Sequence, residues 1–553
     1  MTTGTAAPDV TRTFLDIRSL PSTSALARDY AFAFERVAPF YAGDPADTAA
    51  WRAAIRATLA HPAHADAPRG AMAAVIRAQQ ARRHAPAAAT DALERLARAG
   101  TVAVVTGQQA GLFGGPVYTL FKAVSAIALA ARVEADTGTP AVPVFWADGE
   151  DHDWEEVRHC TVLAADDATV ALDAPHLPGA GTRPVGALVF DDAIRDTLAA
   201  LERSLPPSPF TADLLALLSR AYAPGAGMTR AFATLVEQVL GPRGLVVFES
   251  NDPAAKPLVA ELFAAEVASA PRSAALALGA GETLQALGYH AQLQPAVDAA
   301  GLFDLRDART PIRVDGGTCR IGAALEDRHA LAARVRQAPD GVGPSVLLRP
   351  LVQDTLFPTV CYVAGPSELA YFAQLKPVYA AHGIPMPLVQ ARTSGTILDG
   401  NASRFLGRSD VPFEALAARD ERALNALLAA QMPAAVDAAG QAALDAVSRS
   451  MDTLAAAVTA VDATLEGAVK SAASRMQDDL KKLQGKILQA AKKKDDTLRR
   501  QFRHAQVQAF PDGAPQERQI GWISLMNRVG PGLVDRILSD MPPSPGRHWI
   551  VTL

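Results

Sequence analysis

The sequence predicts an α/β protein: an open, mostly parallel sheet with inserted subdomains, joined to a long α-helical coiled coil. Three observations predict it. Short apolar, β-branched runs alternate with helical patterns between residues 101 and 400. Those runs are unevenly spaced, with nearly a hundred residues between some of them. No proline occurs between Pro433 and Pro511, where apolar residues recur in steps of 3, 4 and 4.

Residues 1–100 are polar at first, then alanine-rich, and form an N-terminal helical segment expected to pack on the core. Asp29–Val37 and Trp51–Leu59 read as amphipathic helices, punctuated by Pro62, Pro68 and Pro86. The core spans 101–400. Val102–Thr106 reads as a buried parallel strand running into glycine-rich sequence. Gly115-Pro116 then opens a helix, with proline where the first turn tolerates it. The apolar run Val117–Val133 carries Lys122, Ser125 and Arg132, so it reads as a buried helix and not a membrane span. Ala141–Trp146, Leu245–Glu249, Thr359–Val363 and Pro387–Gln390 are the later strands, with a helix over Ser367–Leu375. Compact crossovers are far shorter than the long gaps, so insertions are expected near 160–240 and 255–345. The proline-rich stretch Leu205–Phe210 and the Asp315-Gly316-Gly317 turn fit insertion surfaces, and Asp315–Ile321 fits a hairpin.

The coiled coil is placed at 415–510. Val458, Val461, Leu465, Val469, Ala472, Met476, Leu480, Leu483, Ile487, Ala491, Lys494, Leu498 and Phe502 form an eleven-residue repeat, which keeps one stripe on an almost straight helix. A helix this long must pack its stripe on a partner, either another chain or an earlier helix such as Glu421–Ala430. Gly467 and Gly485 weaken it locally. Lys492-Lys493-Lys494 sits beside Asp495 and Asp496 and reads as a solvated helix face. Residues 511–553 are expected to return to the core.

Of the 553 residues, 49% are hydrophobic and 20% charged, ordinary for a globular protein. A net charge of −5 argues against non-specific nucleic-acid binding. Cys160, Cys319 and Cys361 are scattered and odd in number, which argues against a disulfide framework and a cysteine-rich zinc site. The N-terminus has no charged-then-apolar pattern, so no signal peptide is expected and the location expected is the cytoplasm.

Three segments carry chemistry. The first is Thr106-Gly107-Gln108-Gln109-Ala110-Gly111-Leu112-Phe113-Gly114-Gly115-Pro116, set between a strand and a helix. Its glycines allow close approach of a ligand, and the helix N-terminus beyond suits phosphate or carboxylate. Neither the P-loop nor the GxGxxG pattern is present, and a purely structural tight turn remains open. The second is Gly149-Glu150-Asp151-His152-Asp153. In an open parallel sheet the loop after a strand lines the ligand crevice. Clustered carboxylates need a balancing amine, metal or Arg/Lys, and their repulsion favours a general base or acid. His159 and Cys160 follow, but the spacing matches no established ligand pattern and no metal is assigned. An acidic turn capping the next helix is the alternative. The third runs from Leu348 to Asp354, through Gly365-Pro366-Ser367-Glu368, to Tyr371–Pro377. Arg349 there can pair a phosphate or carboxylate, with Gln353, Asp354, Gly365, Tyr371, Gln374 and Lys376 as further candidates.

The segments TGQQAGLFGGPVYTLFKAVSAI, VPVFWADGEDHDWEEVRH, LLRPLVQDTLFPTVCYVAGPSELAYFAQLKPVY and QERQIGWISLMNRVGP resemble the bacillithiol-biosynthesis cysteine-adding enzymes, the BshC family. The resemblance covers essentially the whole chain. It implies a Rossmann-like core with connecting-peptide insertions, a coiled coil forming a homodimer, and a ligase that adds L-cysteine to glucosaminyl-malate in the last step of bacillithiol synthesis. It also implies nucleotide binding, with ATP as the activator of the cysteine carboxylate by analogy to class I aminoacyl-tRNA synthetases. Onto this sequence it carries Glu150, Asp151, His152 and Asp153 as catalytic groups. Thr106, Gly107, Gln108, Gln109, Gly111, Gly114, Gly115, Tyr118, Lys122 and Arg349 become binding groups. The His-x-Gly-His and Lys-Met-Ser-Lys-Ser signatures of those synthetases are absent, and Arg392-Thr393-Ser394 is a weak counterpart of the second. Two other readings stay open: a nucleotide- or metabolite-binding scaffold whose coiled coil recruits a partner, and a metal-assisted hydrolase using Glu150–Asp153.

Overall fold

The structure, a computed structural model, describes residues 12–21, 23–409, 411–430, 434–462, 464–494 and 496–553. Its centre is a five-stranded sheet. In chain order the elements that position the site are α1 (Asp66–Arg83), β1 (Val102–Gln109), α2 (Val117–Thr137), β2 (Ala141–Asp148), α3 (Met228–Leu240), β3 (Val246–Glu249), α4 (Arg349–Leu356), β4 (Thr359–Ala364), α5 (Pro366–Phe372) and β5 (Leu388–Ala391). The strand order is β5-β4-β1-β2-β3, and every neighbouring pair is parallel. All five predicted strands are present, each within a few residues of its expected bounds. The order runs outward in both directions from β1 and β4, so a crevice opens between their C-terminal ends.

These strands are apolar on both faces because both faces are covered. Alternation in β1 divides its side chains: Ala103 and Val105 join the core that holds Met72, Ile76 and Leu93 from the N-terminal helices. Val102 and Val104 pack on Ala126, Leu129 and Val133 of α2. Arg83, at the end of α1, fastens that helix to β3. Its buried guanidinium donates to Glu237 Oε2 at 2.8 Å and Oε1 at 2.9 Å, to Val247 O at 2.8 Å, and to Glu249.

Both gaps hold insertions. The first contains an antiparallel pair, His159–Leu163 with Thr169–Asp173, and helices Ile194–Ser204 and Thr211–Ala221. The second contains a separate five-stranded sheet, in which Thr310–Asp315 and Thr318–Ile321 form the expected hairpin. Its turn places Gly316 at φ +55°, a left-handed conformation that glycine adopts without strain.

Three expectations change. The helix predicted over Asp29–Val37 is Ala25–Phe32, followed by two short 3₁₀ turns, one of which opens on Pro39. The N-terminal segment is not wholly helical: Arg12–Asp16 is a strand paired antiparallel with Arg547–Thr552, next to Ser394–Leu398. A partner that remote in sequence leaves no local periodicity to read. The third change is in the apolar stripe, which is not one helix from Val458.

Residues up to Ile397, together with Gln516–Val551, form one compact unit, and Leu398–Pro515 form a second. In the second, α6 (Ala434–Val458) and α7 (Leu465–Lys494) make a hairpin. Gln484 packs against Gly440, which fixes the antiparallel sense. Asp462 Oδ1 accepts from the Thr464 amide at 2.9 Å and hydroxyl at 2.8 Å, stabilising the reversal. α7 therefore packs on the preceding helix, which leaves Leu465, Met476, Leu483 and Ile487 of the stripe exposed, and neither Gly467 nor Gly485 breaks α7. The side chains of Ala491 and of the Lys492–Lys494 cluster lie outside the described residues. Among the described residues no helix is long and apolar enough to cross a membrane.

Candidate active site

The glycine-rich turn after β1 and the acidic turn after β2 meet. Gln109 and Asp148, the last residues of the two strands, are in register. Gln109 Nε2 donates to Asp151 Oδ2 at 2.7 Å. Between these turns, α4 and α5 lies a cavity of about 540 Å³. Gly107, Gln108, Gln109, Tyr118, Lys122, Glu150, Asp151, Arg349, Gly365 and Tyr371 line it, as do Asp148, Arg309 and Arg392. Backbone approaches the cavity at Gly107, where a Cβ would come within 2.9 Å of Trp146.

Lys122 is committed to holding the floor together. From one turn into α2 its Nζ reaches back to Gly107 O and Gln108 Oε1, both at 2.9 Å, and to Glu368 Oε2 at 2.6 Å. Glu368 also accepts from Tyr362 Oη and the Gly365 amide, both at 2.6 Å. Burial pulls Lys122 down. Burial alone would raise Glu368, but Lys122 and these donors hold it below the usual carboxylate value. The two form a buried ion pair.

Arg349 is different. Its guanidinium donates to Gln353 Oε1 at 3.1 Å and Tyr371 Oη at 3.0 Å, and lies near the rings of Tyr362 and Trp146. Among the described residues no carboxylate comes within ion-pairing distance of it. A desolvated guanidinium without a counter-ion favours an anionic ligand. Asp148, also in the cavity, accepts from the Glu150 amide at 3.1 Å and from Ser250 Oγ at 3.4 Å. Burial pushes its pKa up, against the pull of Arg349. Asp151 is held below the usual value: burial opposes, but the Gln109 amide and Arg309 outweigh it.

The structure relocates several predicted site residues. Glu150 lines the cavity but is ion-paired with the buried Lys256. His152 is outside the cavity, in an open groove with Asp153. Asp153 is an N-cap, its Oδ1 accepting from the Glu156 amide at 3.2 Å. Thr106 bonds Val363 O inside the sheet. Gln353 braces Arg349 from behind. Gln374 ties Ala277 O to Leu293, and Lys376 donates to Pro39 O and Tyr41 O, so both fasten other segments. Cys160 is packed against Gly521, and His159 opens a strand.

Gly111, Gly114 and Gly115 do not form an open anion site either. The C-terminal segment closes the N-terminus of α2: the Val117 amide donates to Ile520 O at 2.8 Å. Trp522 Nε1 donates to Gly114 O at 2.9 Å, and a Cβ on Gly114, which sits at φ +89°, would collide with that indole. Asp354, within α4, is buried, accepting from Tyr379 Oη and Gln353 Nε2, and burial raises its pKa to about 6. A carboxyl whose folded pKa exceeds its unfolded value near 3.8 stabilises fully below the latter and loses that contribution as pH rises through the former. Asp354→Asn is therefore expected to gain stability relative to the parent as pH is raised from about 3 to 8. Two pKa units correspond to about 3 kcal/mol, and thermal melting of both proteins across that range measures it.

Asp148 and Arg309 were missed by sequence reasoning, and Arg392 was weighed only as part of a weak signature match. Asp148 was within reach: β2 extends two residues beyond the apolar run, and its last side chain faces the crevice.

A family model described as the N-terminal Rossmann-like domain of bacillithiol biosynthesis BshC matches residues 15–393. The model for the C-terminal coiled-coil domain of the same proteins matches 395–553. The chain belongs to the BshC family. Curated BshC relatives run along most of its length. The protein of Salinibacter ruber is 33% identical over 539 residues, 95% of each chain. That of Geobacillus kaustophilus is 31% identical, covering 96% of this chain and 98% of its own. That of Heliobacterium modesticaldum is 34% identical over 468 residues, 81% and 83% of the two chains. Each carries the name "Putative cysteine ligase BshC". The BshC coiled-coil model includes Gln516–Val551, which in this chain packs with the Rossmann-like unit.

Proposed function

We propose that the chain is a cytoplasmic ligase joining the carboxyl group of L-cysteine to the amine of glucosaminyl-malate, the last step of bacillithiol synthesis. One observation carries this reading: Arg349, a buried guanidinium with no carboxylate within ion-pairing distance among the described residues, lines one cavity with the carboxylates Asp148 and Asp151. Such a cleft is complementary to a ligand that carries carboxylates and an amine together. Arg349 receives the malate carboxylates. Asp151 and Asp148 orient the amine, and Asp148, its pKa raised by burial, takes the proton the amine must lose before it attacks.

ATP is the proposed activator, supplying the free energy for carboxyl activation. The closed N-terminus of α2 does not fit its phosphates, and Arg392 is paired with Glu517 at 2.8 Å, so Arg309 is the cavity arginine proposed to meet them. Family names and the cleft support the reaction class, with purified protein, cysteine, glucosaminyl-malate and ATP as the test and bacillithiol detected by mass spectrometry. Product is expected from the parent, and Asp151→Asn is expected to lose at least about 10²-fold. No product from the parent, or parent rates from Asp151→Asn, would sink the reading.

The helical unit is proposed to form a homodimer. Leu465, Met476, Leu483 and Ile487 remain between 38% and 51% exposed on α7, leaving apolar surface for a second copy. Light scattering is expected to give twice the chain mass, and the chain mass alone for a Met476→Glu, Leu483→Glu double variant.

A further inference from the structure

We infer that the cleft holds a second anion subsite, centred on Arg309, for a carboxylate or phosphoryl group of the reactant that meets the amine. This deepens the ligase reading and rests on it. Arg309 comes from the second insertion, just before the strand Thr310–Asp315, and lines the same cavity as Arg349. Its guanidinium lies 3.6 Å from the centre of the Phe303 ring. It meets His152 Nδ1 at 3.4 Å, and among the described residues its buried Nε–H has no partner. Among the described residues no carboxylate stands within ion-pairing distance of it. Stacking on an aromatic face fixes the plane of a guanidinium while leaving its edge to ligands.

The placement separates two roles. Asp148 feels the charge of both Arg349 and Arg309. Asp151 feels Arg309, while Arg349 is surrounded by Tyr362, Tyr371 and Gln353. The carboxylates that would orient the amine therefore share one cavity with two guanidiniums. An amine-bearing ligand anchored at Arg349 leaves Arg309 for the anionic group of its reaction partner. The position of Arg309 is not left to its own loop. Its amide donates to Thr182 O at 3.0 Å, a bond that joins the two insertions beside the acidic turn. Arg309 thus belongs to the part of the fold that distinguishes this chain from a bare parallel sheet.

Calorimetric titration of the full chain tests it, with L-malate, L-cysteine and inorganic pyrophosphate as separate probes against the parent, Arg309→Ala, Arg309→Lys and Arg349→Ala. Arg349→Ala is expected to weaken malate about ten-fold or more and to leave the probe held by Arg309 nearly unchanged. Arg309→Ala is expected to do the reverse. Loss of cysteine binding identifies a carboxylate at the second subsite, and loss of pyrophosphate binding a phosphoryl group. Arg309→Lys, which keeps the charge and the fold, is expected to recover part of that affinity. The inference is overturned if Arg309→Ala binds all three probes like the parent, or if both alanine variants weaken the same probes equally. Failure of the ligase reading would appear separately, as absence of product from a parent that still shows the split in binding.

Discussion

Asp148→Asn is expected to lower kcat and kcat/KM for cysteine ligation together, by about 10²- to 10⁴-fold, the range for losing a positioned general base. The substitution keeps the shape of the side chain and its bonds to the Glu150 amide and Ser250. What it removes is the capacity to accept a proton. Because burial lifts the Asp148 pKa, the acid limb of the parent pH–rate profile is expected above the usual carboxylate range. Activity rises with pH there as the base ionises, and the limb disappears in Asp148→Asn. Steady-state rates across pH 4–8 check both effects. An Asn variant with the parent rate and the parent limb would transfer the role to Asp151.

The second large effect concerns stability. Arg83→Met is expected to destabilise the Rossmann-like unit by about 3–5 kcal/mol, the cost of stranding buried charge. Arg83 and Glu237 have fully buried side chains, and Glu249 is 9% exposed. Removing the guanidinium leaves two carboxylates in the interior and takes the donor from Val247 O. Thermal and urea unfolding measure the loss. Arg77, paired with Glu94 where both side chains are 52% exposed, provides the contrast: Arg77→Ala is expected to change little, since exposed pairs contribute weakly. Equal behaviour of the two variants would refute the assignment of Arg83 as the fastener between α1 and β3.

The strands were legible because each is a short apolar run, four of the five with glycine or acidic sequence behind them, and burial on both faces demands the apolar pattern. The insertions were legible from the length of the gaps. The strand Arg12–Asp16 was not, since its partner Arg547–Thr552 lies at the other end of the chain. The hairpin of α6 and α7 was half legible: the repeat marked the helix, but it passes through Val461, which is 83% exposed in the turn. Periodicity reports helical spacing and is blind to a reversal that keeps the spacing.

In the site, sequence position placed the two turns at the ends of neighbouring strands, and the structure brings them together. It could not say which of four adjacent ionisable residues faces inward. Asp151 bonds Gln109, Glu150 is neutralised by Lys256, His152 sits in a separate groove, and Asp153 caps a helix. Arg309 gave no signal at all, because an isolated arginine in a loop looks like any solvated one.

By itself the sequence determined the elements, the parallel sheet, the insertions and the family, because periodicity, turn chemistry and long shared motifs are local properties of the chain. Tertiary structure alone decided which charges lack counter-ions, and that the C-terminal segment closes the glycine turn. The physical reason is distance. Desolvation and charge neutralisation depend on groups brought together from hundreds of residues apart, and no local pattern encodes who those neighbours are.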